Sequence, residues 1–407
     1  MAASDPLVAA LDAATADLSP GEPPGDALGV AVSGGGDSVA LLLAAIERGP
    51  VRAVTVDHGL RAGSADEARW VADLCARHDV PHDVLTLALT PGAGLQARAR
   101  AARYAALSGW ARGRVAAVML GHNRDDVGET LAMRLRRGVG VSGLAAMPEG
   151  WRDARGVRFL RPFLGLSRAG LRDWLRARGQ DWIDDPSNDD AGFERVEIRQ
   201  AMAALGWEAG ALARSANALR QASDALDAQV AALAATVLGR DAAGDVLFDP
   251  LAVGEPEIAR RIWAVALDHV GGARAPRAAE LRGAMEAPDG DRRTLAGCVV
   301  TRSGIVRVAR EPAACPGPVA ATEPWDRRWR IVGPRVGGAQ IGALGEDVTR
   351  TPWRETGLPR GSLMATPALR RDGGLVAAPV AGLGGGYAAC LAGGPTAAID
   401  GRDRVIR

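Results

Sequence analysis

No lysine occurs anywhere in the 407 residues. The familiar γ-phosphate loop ends in Gly-Lys-Ser or Gly-Lys-Thr, so that class of nucleotide site is excluded. Apart from histidine, all basic charge is arginine, which reads mainly as coding bias in a chain rich in glycine, alanine and arginine. Cysteine is scarce: Cys75, Cys298, Cys315 and Cys390 lie far apart and form no C-x-x-C pair. That spacing argues against a zinc or iron–sulfur site and fits a reducing cytosol. The N-terminal stretch "MAASDPLVAALDAATADL" has neither a basic flank nor a continuous apolar core, so no signal peptide is expected. No apolar run reaches membrane-spanning length. The net charge is only +1, so any nucleic-acid surface must come from local asymmetry rather than bulk charge.

What is present points to a soluble globular protein. A length of 407 residues argues for two or three domains, and 47% apolar with 24% charged residues is ordinary globular composition. The first part alternates between short buried strands and helices. Strands are expected at Leu28–Ser33, Val51–Asp57, Asp83–Leu87 and Val115–Gly121. Helices are expected at Asp37–Arg48, Ser64–His78, Leu95–Arg112 and Asp125–Arg136. Such alternation predicts an α/β fold, a parallel doubly wound sheet with helices on both faces. Ligands of these sheets sit beyond the carboxyl ends of the strands, where Ser33, Asp57 and Gly121 fall. After Gly150 the rhythm fades. Arg158–Leu164 reads as a last strand, Ser167–Arg178 as a helix and Ala201–Leu238 as one long helix. Residues 250–310 look mixed, with strands at Cys298–Arg302 and Ile305–Arg310. Glu311–Pro324 reads as a proline-rich linker to a small strand-leaning module.

Two constellations carry chemistry. Ser33-Gly34-Gly35-Gly36-Asp37-Ser38 joins an apolar run to a helix start. Glycines let backbone N–H groups approach phosphate oxygens, and the helix N-terminus adds donors and a favourable dipole. The second, Gly121–Met147, opens with His122, Asp125, Asp126 and Glu129. Asp126 and Glu129 share one helical face. Such acids either cap a helix or hold Mg²⁺ or a cationic amine beside the phosphate loop. Between Val84 and Arg124 there is no acidic residue, whereas Arg98, Arg100, Arg103, Arg112, Arg114 and Arg124 are present. A solvated helix face usually mixes both signs, so this bias favours a phosphate-bearing partner.

Ser-Gly-Gly-x-Asp-Ser after a first strand resembles the signature of the PP-loop, or N-type ATP pyrophosphatase, superfamily (adenine-nucleotide α-hydrolase type). The string from His122 to Glu129 resembles the His-x-x-Asp-Asp-x-x-Glu-Thr motif of the tRNA(Ile)-lysidine synthase family. "VDHGLR" with His58, "LQARARAARY" with Arg100, Arg103 and Tyr104, and Arg134, Arg137 and Gly138 continue that pattern. "RPFLGLSR" and "WIDDPSNDDAGFERVEIR" also resemble its segments, although Val196 stands where members usually carry asparagine. The likeness is strong to about residue 200 and weaker beyond.

The resemblance implies ATP cleavage between the α- and β-phosphates, with Mg²⁺ held at Asp37. It implies ligation of L-lysine to the wobble cytidine of tRNA(Ile) with a CAU anticodon. Ser33–Ser38 would bind ATP, and Asp37, His122, Asp126 and Glu129 would be catalytic. Asp126 and Glu129, together with His58, Arg100, Arg103, Arg134, Arg137, Arg195 and Arg199, would bind lysine or tRNA. A cytoplasmic enzyme is expected, with a catalytic domain at 1–200, a helical linker and tRNA-binding domain at 201–310, and a C-terminal tRNA-contacting domain at 325–407. Monomer and homodimer both stay open. The rivals are a cytidine 2-thiolase, which would need paired cysteines, a PP-loop ligase acting on a small molecule, and a non-catalytic RNA-binding relative.

Overall fold

The computed structural model describes residues 5–18, 27–59, 63–88, 90, 92, 94–184, 194–271 and 276–391. Arg61 and the segment 185–193, which holds the Asp-Pro-Ser-Asn string, lie outside the described residues. Contacts divide the chain into two compact units, one running to Asp224 and the other beginning at Ala225.

The first unit begins with α1 (Pro6–Thr15), where the Asp5 carboxylate accepts the N–H of Leu7 and caps the helix. The strand–helix alternation then runs β1 (Leu28–Ala31), α2 (Gly36–Arg48), β2 (Val51–Asp57), α3 (Ser64–Arg77), β3 (His82–Thr86), α4 (Leu95–Ala111) and β4 (Val118–Leu120). It continues with α5 (Arg124–Arg136), α6 (Val141–Leu144), β5 (Gly150–Arg152), β6 (Arg158–Leu160), α7 (Arg168–Ala177) and α8 (Glu194–Ala204). The strands form one sheet in the order β3-β2-β1-β4-β6-β5, parallel except for β5, which pairs antiparallel with β6.

Alternation along the strands explains why both faces are covered. Val30, Ala53, Met119 and Leu160 point into one core with Leu41 and Leu42 of α2, Leu74 of α3 and Leu171 of α7. Their neighbours Ala31, Val54, Val118 and Phe159 point the other way, against Leu107 and Trp110 of α4. Burial on both faces makes these strands read as continuous apolar runs. The strand β5 is absent from the sequence-based reading. Its three residues alternate exposed, buried and exposed, too short a run to show a period.

The expected single helix Ala201–Leu238 is in fact two, α8 and α9 (Ala209–Val237). Gly206 adopts φ +64°, and the N–H of Trp207 bonds back to the carbonyl of Met202 at 2.8 Å, which ends the first helix.

The second unit holds the rest of α9, then β7 (Gly239–Arg240), β8 (Val246–Phe248), α10 (Pro256–Gly271), α11 (Ala278–Met285), β9 (Arg292–Leu295), β10 (Cys298–Ser303) and β11 (Ile305–Arg310). Its sheet runs β7-β8-β11-β10-β9 over a core centred on Ile262 and Trp263 of α10. A smaller sheet pairs β12 (Val319–Ala320), β14 (Gln340–Ala343), β15 (Pro367–Arg371) and β16 (Gly374–Ala377), and β13 (Trp329–Val332) pairs with β17 (Ala388–Leu391). The expected linker Glu311–Pro324 therefore contributes a strand, β12, to this module.

Candidate active site

The chain leaves β1 toward β2 and β3 on one side, while β4 and β6 lie on the other. The order reverses between β1 and β4, and open α/β sheets bind their ligands in the crevice beyond the strands' carboxyl ends at such a point. The glycine turn follows β1 and the His122–Glu129 stretch follows β4, so the two constellations meet at that point. A side-chain Cβ on Gly121 would lie 3.1 Å from backbone atoms of Asp37 and Ser38, so any larger residue there would push the phosphate turn and the end of β4 apart by a few tenths of an ångström.

Within the turn, Gly34 has φ +87°, a conformation that costs glycine little. Ser38 Oγ donates to the carbonyl of Gly35 at 2.8 Å and accepts the N–H of Ser33 at 3.1 Å. The two hydroxyl oxygens lie 3.2 Å apart. Helix α2 opens at Gly36 with no side chain capping it. First-turn amides have no partner inside a helix, so this end can meet phosphate oxygens.

The acids lie beside the turn and are already tied together. Asn123 caps α5: its Oδ1 accepts the N–H of Asp126 and its own N–H donates to Asp126 Oδ2, both at 3.0 Å. Asn123 Nδ2 also donates to Asp37 Oδ2 at 2.8 Å, which links the cap to the phosphate turn. From the start of α7, Arg168 reaches all three acids. It donates to Glu129 at 3.1 Å and to Asp126 at 3.2 Å, and its Nε lies 3.8 Å from Asp37 Oδ2. Its backbone N–H donates to Asp125 Oδ2 at 2.9 Å. Arg199 Nε donates to Glu129 at 2.6 Å, and Arg195 lies 3.6 Å from Asp126. Three carboxylates therefore face three guanidinium groups. Asp126 and Glu129 are buried, and lone carboxylates at that depth would cost several kcal/mol each.

Burial pushes Asp37 up to about 6, and nearby Asp126 adds to the rise while Arg168, Arg172 and the Asn123 amide oppose it. Its Oδ1 is buried and accepts no hydrogen bond. An unmatched anionic oxygen next to a phosphate turn fits a cation, since Mg²⁺ is commonly held by one or two carboxylates plus substrate phosphates. For Arg168, burial works against the charge, but Glu129, Asp126 and Asp37 raise its pKa above the ordinary arginine value.

His122 meets the opposite environment. Burial drives its pKa well below the ordinary value, and Arg161, Arg103, Arg195 and Arg100 push the same way. It is therefore a neutral imidazole at pH 7, and its buried Nδ1 has no hydrogen-bond partner. Arg100 lies over the Tyr104 ring at 5.1 Å, and Arg161 over Trp151 at 4.1 Å.

The structure thus brings together the phosphate turn, Asp37, His122, Asp126, Glu129, Arg195 and Arg199. Two expected residues lie elsewhere. Arg134 is eight residues beyond Asp126, roughly 12 Å along α5, and donates to the carbonyl of Ala145 at 2.7 Å. Arg137 is paired with Glu194 at 2.6 Å. His58 stands just beyond β2, half-buried. Sequence reading missed Arg168 and Asn123 as members of the site. Arg168 closes the "RPFLGLSR" string, and an asparagine three residues before Asp126 is an N-cap signature. Buried Cys75 and Cys298 are driven by burial to about 11 and about 12, so these thiols stay protonated.

Residues 11–205 match the family model of the PP-loop domain. The fold and site thus define an ATP-binding PP-loop enzyme with further C-terminal modules. A tRNA(Ile)-lysidine synthase from Ruegeria pomeroyi is 43% identical over 389 residues, 90% of this chain and 91% of that protein. Proteins of the same name from Zymomonas mobilis and Novosphingobium aromaticivorans are 40% and 41% identical over 62% and 70% of this chain, and 79% and 88% of their own lengths. The chain belongs to the tRNA(Ile)-lysidine synthase family. Among solved structures, a U34-tRNA thiolase from Methanococcus maripaludis covers 53% of this chain and 77% of its own at a TM-score of 0.43 and 14% identity, too distant to carry an argument.

Proposed function

We propose that this chain ligates L-lysine to C2 of the wobble cytidine in the CAU anticodon of an isoleucine tRNA. The observation that carries the reading is the meeting of the phosphate turn with Asp37, Asp126 and Glu129 at one crevice, in a chain of this family. The C2 oxygen attacks the α-phosphorus of ATP, and the bond to the β-phosphate breaks as diphosphate leaves. The side-chain amine of lysine then attacks C2, loses a proton, and AMP departs with the former C2 oxygen. The product is lysidine, which changes codon recognition from AUG to AUA.

Each step has residues suited to it. Ser33–Ser38 fix the phosphates in line, which positions the attack and stabilises the leaving charge. Asp37, whose Oδ1 is buried and accepts no hydrogen bond, would hold Mg²⁺, which when bound would supply charge neutralisation on the polyphosphate. Asp126 and Glu129 draw the lysine ammonium to the crevice. Their charge is already balanced by arginine, so the amine enters in exchange for a guanidinium such as Arg168. Neutral His122 lies close to the activated base. The cytidine must be splayed out of its loop to arrive. Arg100 and Arg103 grip the backbone around it, and Arg134 and Arg137, farther along α5, contact the tRNA away from the crevice. We assign catalysis to residues 1–200, a first tRNA contact to 201–310 and a second to 325–407. The enzyme works in the cytoplasm. Among the described residues no helix is long and apolar enough to cross a membrane.

A direct assay tests this. Purified protein, ATP, labelled lysine and a minor isoleucine tRNA transcript should give labelled tRNA only with cytidine at the wobble position. Equal labelling of a transcript with wobble uridine sinks the reading.

A further inference from the structure

A phosphate turn without lysine still has to meet the charge that builds on diphosphate as it leaves. No other cation comes from within the turn, because Ser33–Ser38 contains none. The structure supplies candidates from α7 and the chain that follows it. The N–H of Ile183 donates to the carbonyl of Gly34 at 2.9 Å. A Cβ on Gly34 would lie 2.6 Å from Ile183 Cδ1, and one on Gly36 would lie 3.5 Å from the Trp182 indole. Trp182 and Ile183 therefore lie directly on the glycine turn. The indole Nε1 of Trp182 is buried and has no hydrogen-bond partner.

Two arginines one helical turn apart on α7 cover the same indole. Arg172 and Arg176 stand 5.7 and 5.6 Å from its ring centre. Arg172 is close enough to the turn to lower the pKa of Asp37. Its ion pair with Asp184, at 2.7 Å, has side chains 35% and 65% exposed. Exposed pairs of this kind contribute about 0–1 kcal/mol, so a polyphosphate can take the place of Asp184.

We propose that Arg172, held over Trp182 and backed by Arg176, supplies the cation that the lysine-free turn lacks and binds the diphosphate part of ATP and the released diphosphate. The ligand class is a magnesium-bound inorganic diphosphate or the β,γ-phosphates of a nucleoside triphosphate. The inference rests on the lysidine-forming reading for its place in the reaction. Its central measurement needs neither tRNA nor lysine, so the two can fail separately.

The test uses the full chain with Mg²⁺. Binding of inorganic diphosphate, ATP and AMP is measured by calorimetry for wild type, Arg172→Ala, Arg172→Lys and Asp184→Asn. Arg172→Ala should weaken diphosphate and ATP roughly tenfold, the effect of losing one charge-assisted contact. AMP, which lacks the diphosphate, should bind unchanged. Arg172→Lys should keep most of the affinity, and Asp184→Asn should keep all of it. Wild-type affinity for diphosphate in Arg172→Ala overturns the proposal. So does a parallel loss for AMP, or the same loss in Asp184→Asn, because either would mean that Arg172 only shapes the fold. Failure of wild type to label tRNA with lysine would instead remove the function and leave the binding result standing.

Discussion

At Asp37, folding and function make opposite demands on one carboxylate. Burial is the largest influence on it and raises its pKa from 3.8 to about 6. Between those values the folded chain keeps a proton that the unfolded chain releases. Stability therefore falls as pH rises through this window, and the cost is fully present above it. Asn at this position is neutral at every pH and still offers an oxygen to the Asn123 amide. Asp37→Asn should thus abolish lysine incorporation and yet melt higher than wild type at pH 7 without nucleotide or metal. In a domain of this size each kcal/mol is worth about 2–4 °C. The gain should disappear below pH 3.8, where both forms are neutral. A variant that melts no higher than wild type at pH 7 would contradict this account. The acid itself was legible from its place in the glycine turn, and Asp126 and Glu129 from their spacing. Their partner Arg168 was not, because it lies 42 and 39 residues away in sequence, and only the sheet's strand order brings the start of α7 to the crevice.

The same contrast between local signal and distant contact holds for whole elements. The helices α2 and α4 were legible to within a few residues because their apolar spacing and end signals are local. The end of α8 was not, since Gly206 inside an alanine-rich run gives a weak break signal. At Gly128, in α5, local and distant effects compete directly. Alanine is favoured over glycine in a helix by about 1 kcal/mol. But a Cβ at this position would lie 2.4 Å from the carbonyl oxygen of Ala209, at the start of α9, which real contacts do not allow. Forcing α5 and α9 apart disturbs the Val127, Leu131, Ala213 and Ala216 cluster, and overpacking of that kind costs about 1–3 kcal/mol. Gly128→Ala should therefore be net destabilising by denaturant titration, despite its better helix propensity. A stabilised variant would show that the two helices are free to separate.

For the molecule as a whole, the first unit was far more legible than the second. Its parallel strands are continuous apolar runs joined by helices, whereas β8 pairs with β11 across 62 residues, Val246 opposite Val308. Short antiparallel strands paired at such separations leave little local trace. Charge is the one whole-molecule property that sequence gives directly. A net +1 conceals a stretch from Val84 to Arg124 with no acid, in which Arg100, Arg112 and Arg114 are exposed. A protein that neutralises phosphates releases counterions, so log affinity falls with log salt by about 0.7–0.9 per contact. Replacing Arg100, Arg112 and Arg114 together by glutamine should weaken tRNA binding and flatten that slope by roughly 2–3. The effect should be alike for matched and mismatched anticodons, because phosphate contacts carry no sequence information. Binding measured from low to physiological salt checks it, and an unchanged slope would place the tRNA on another face.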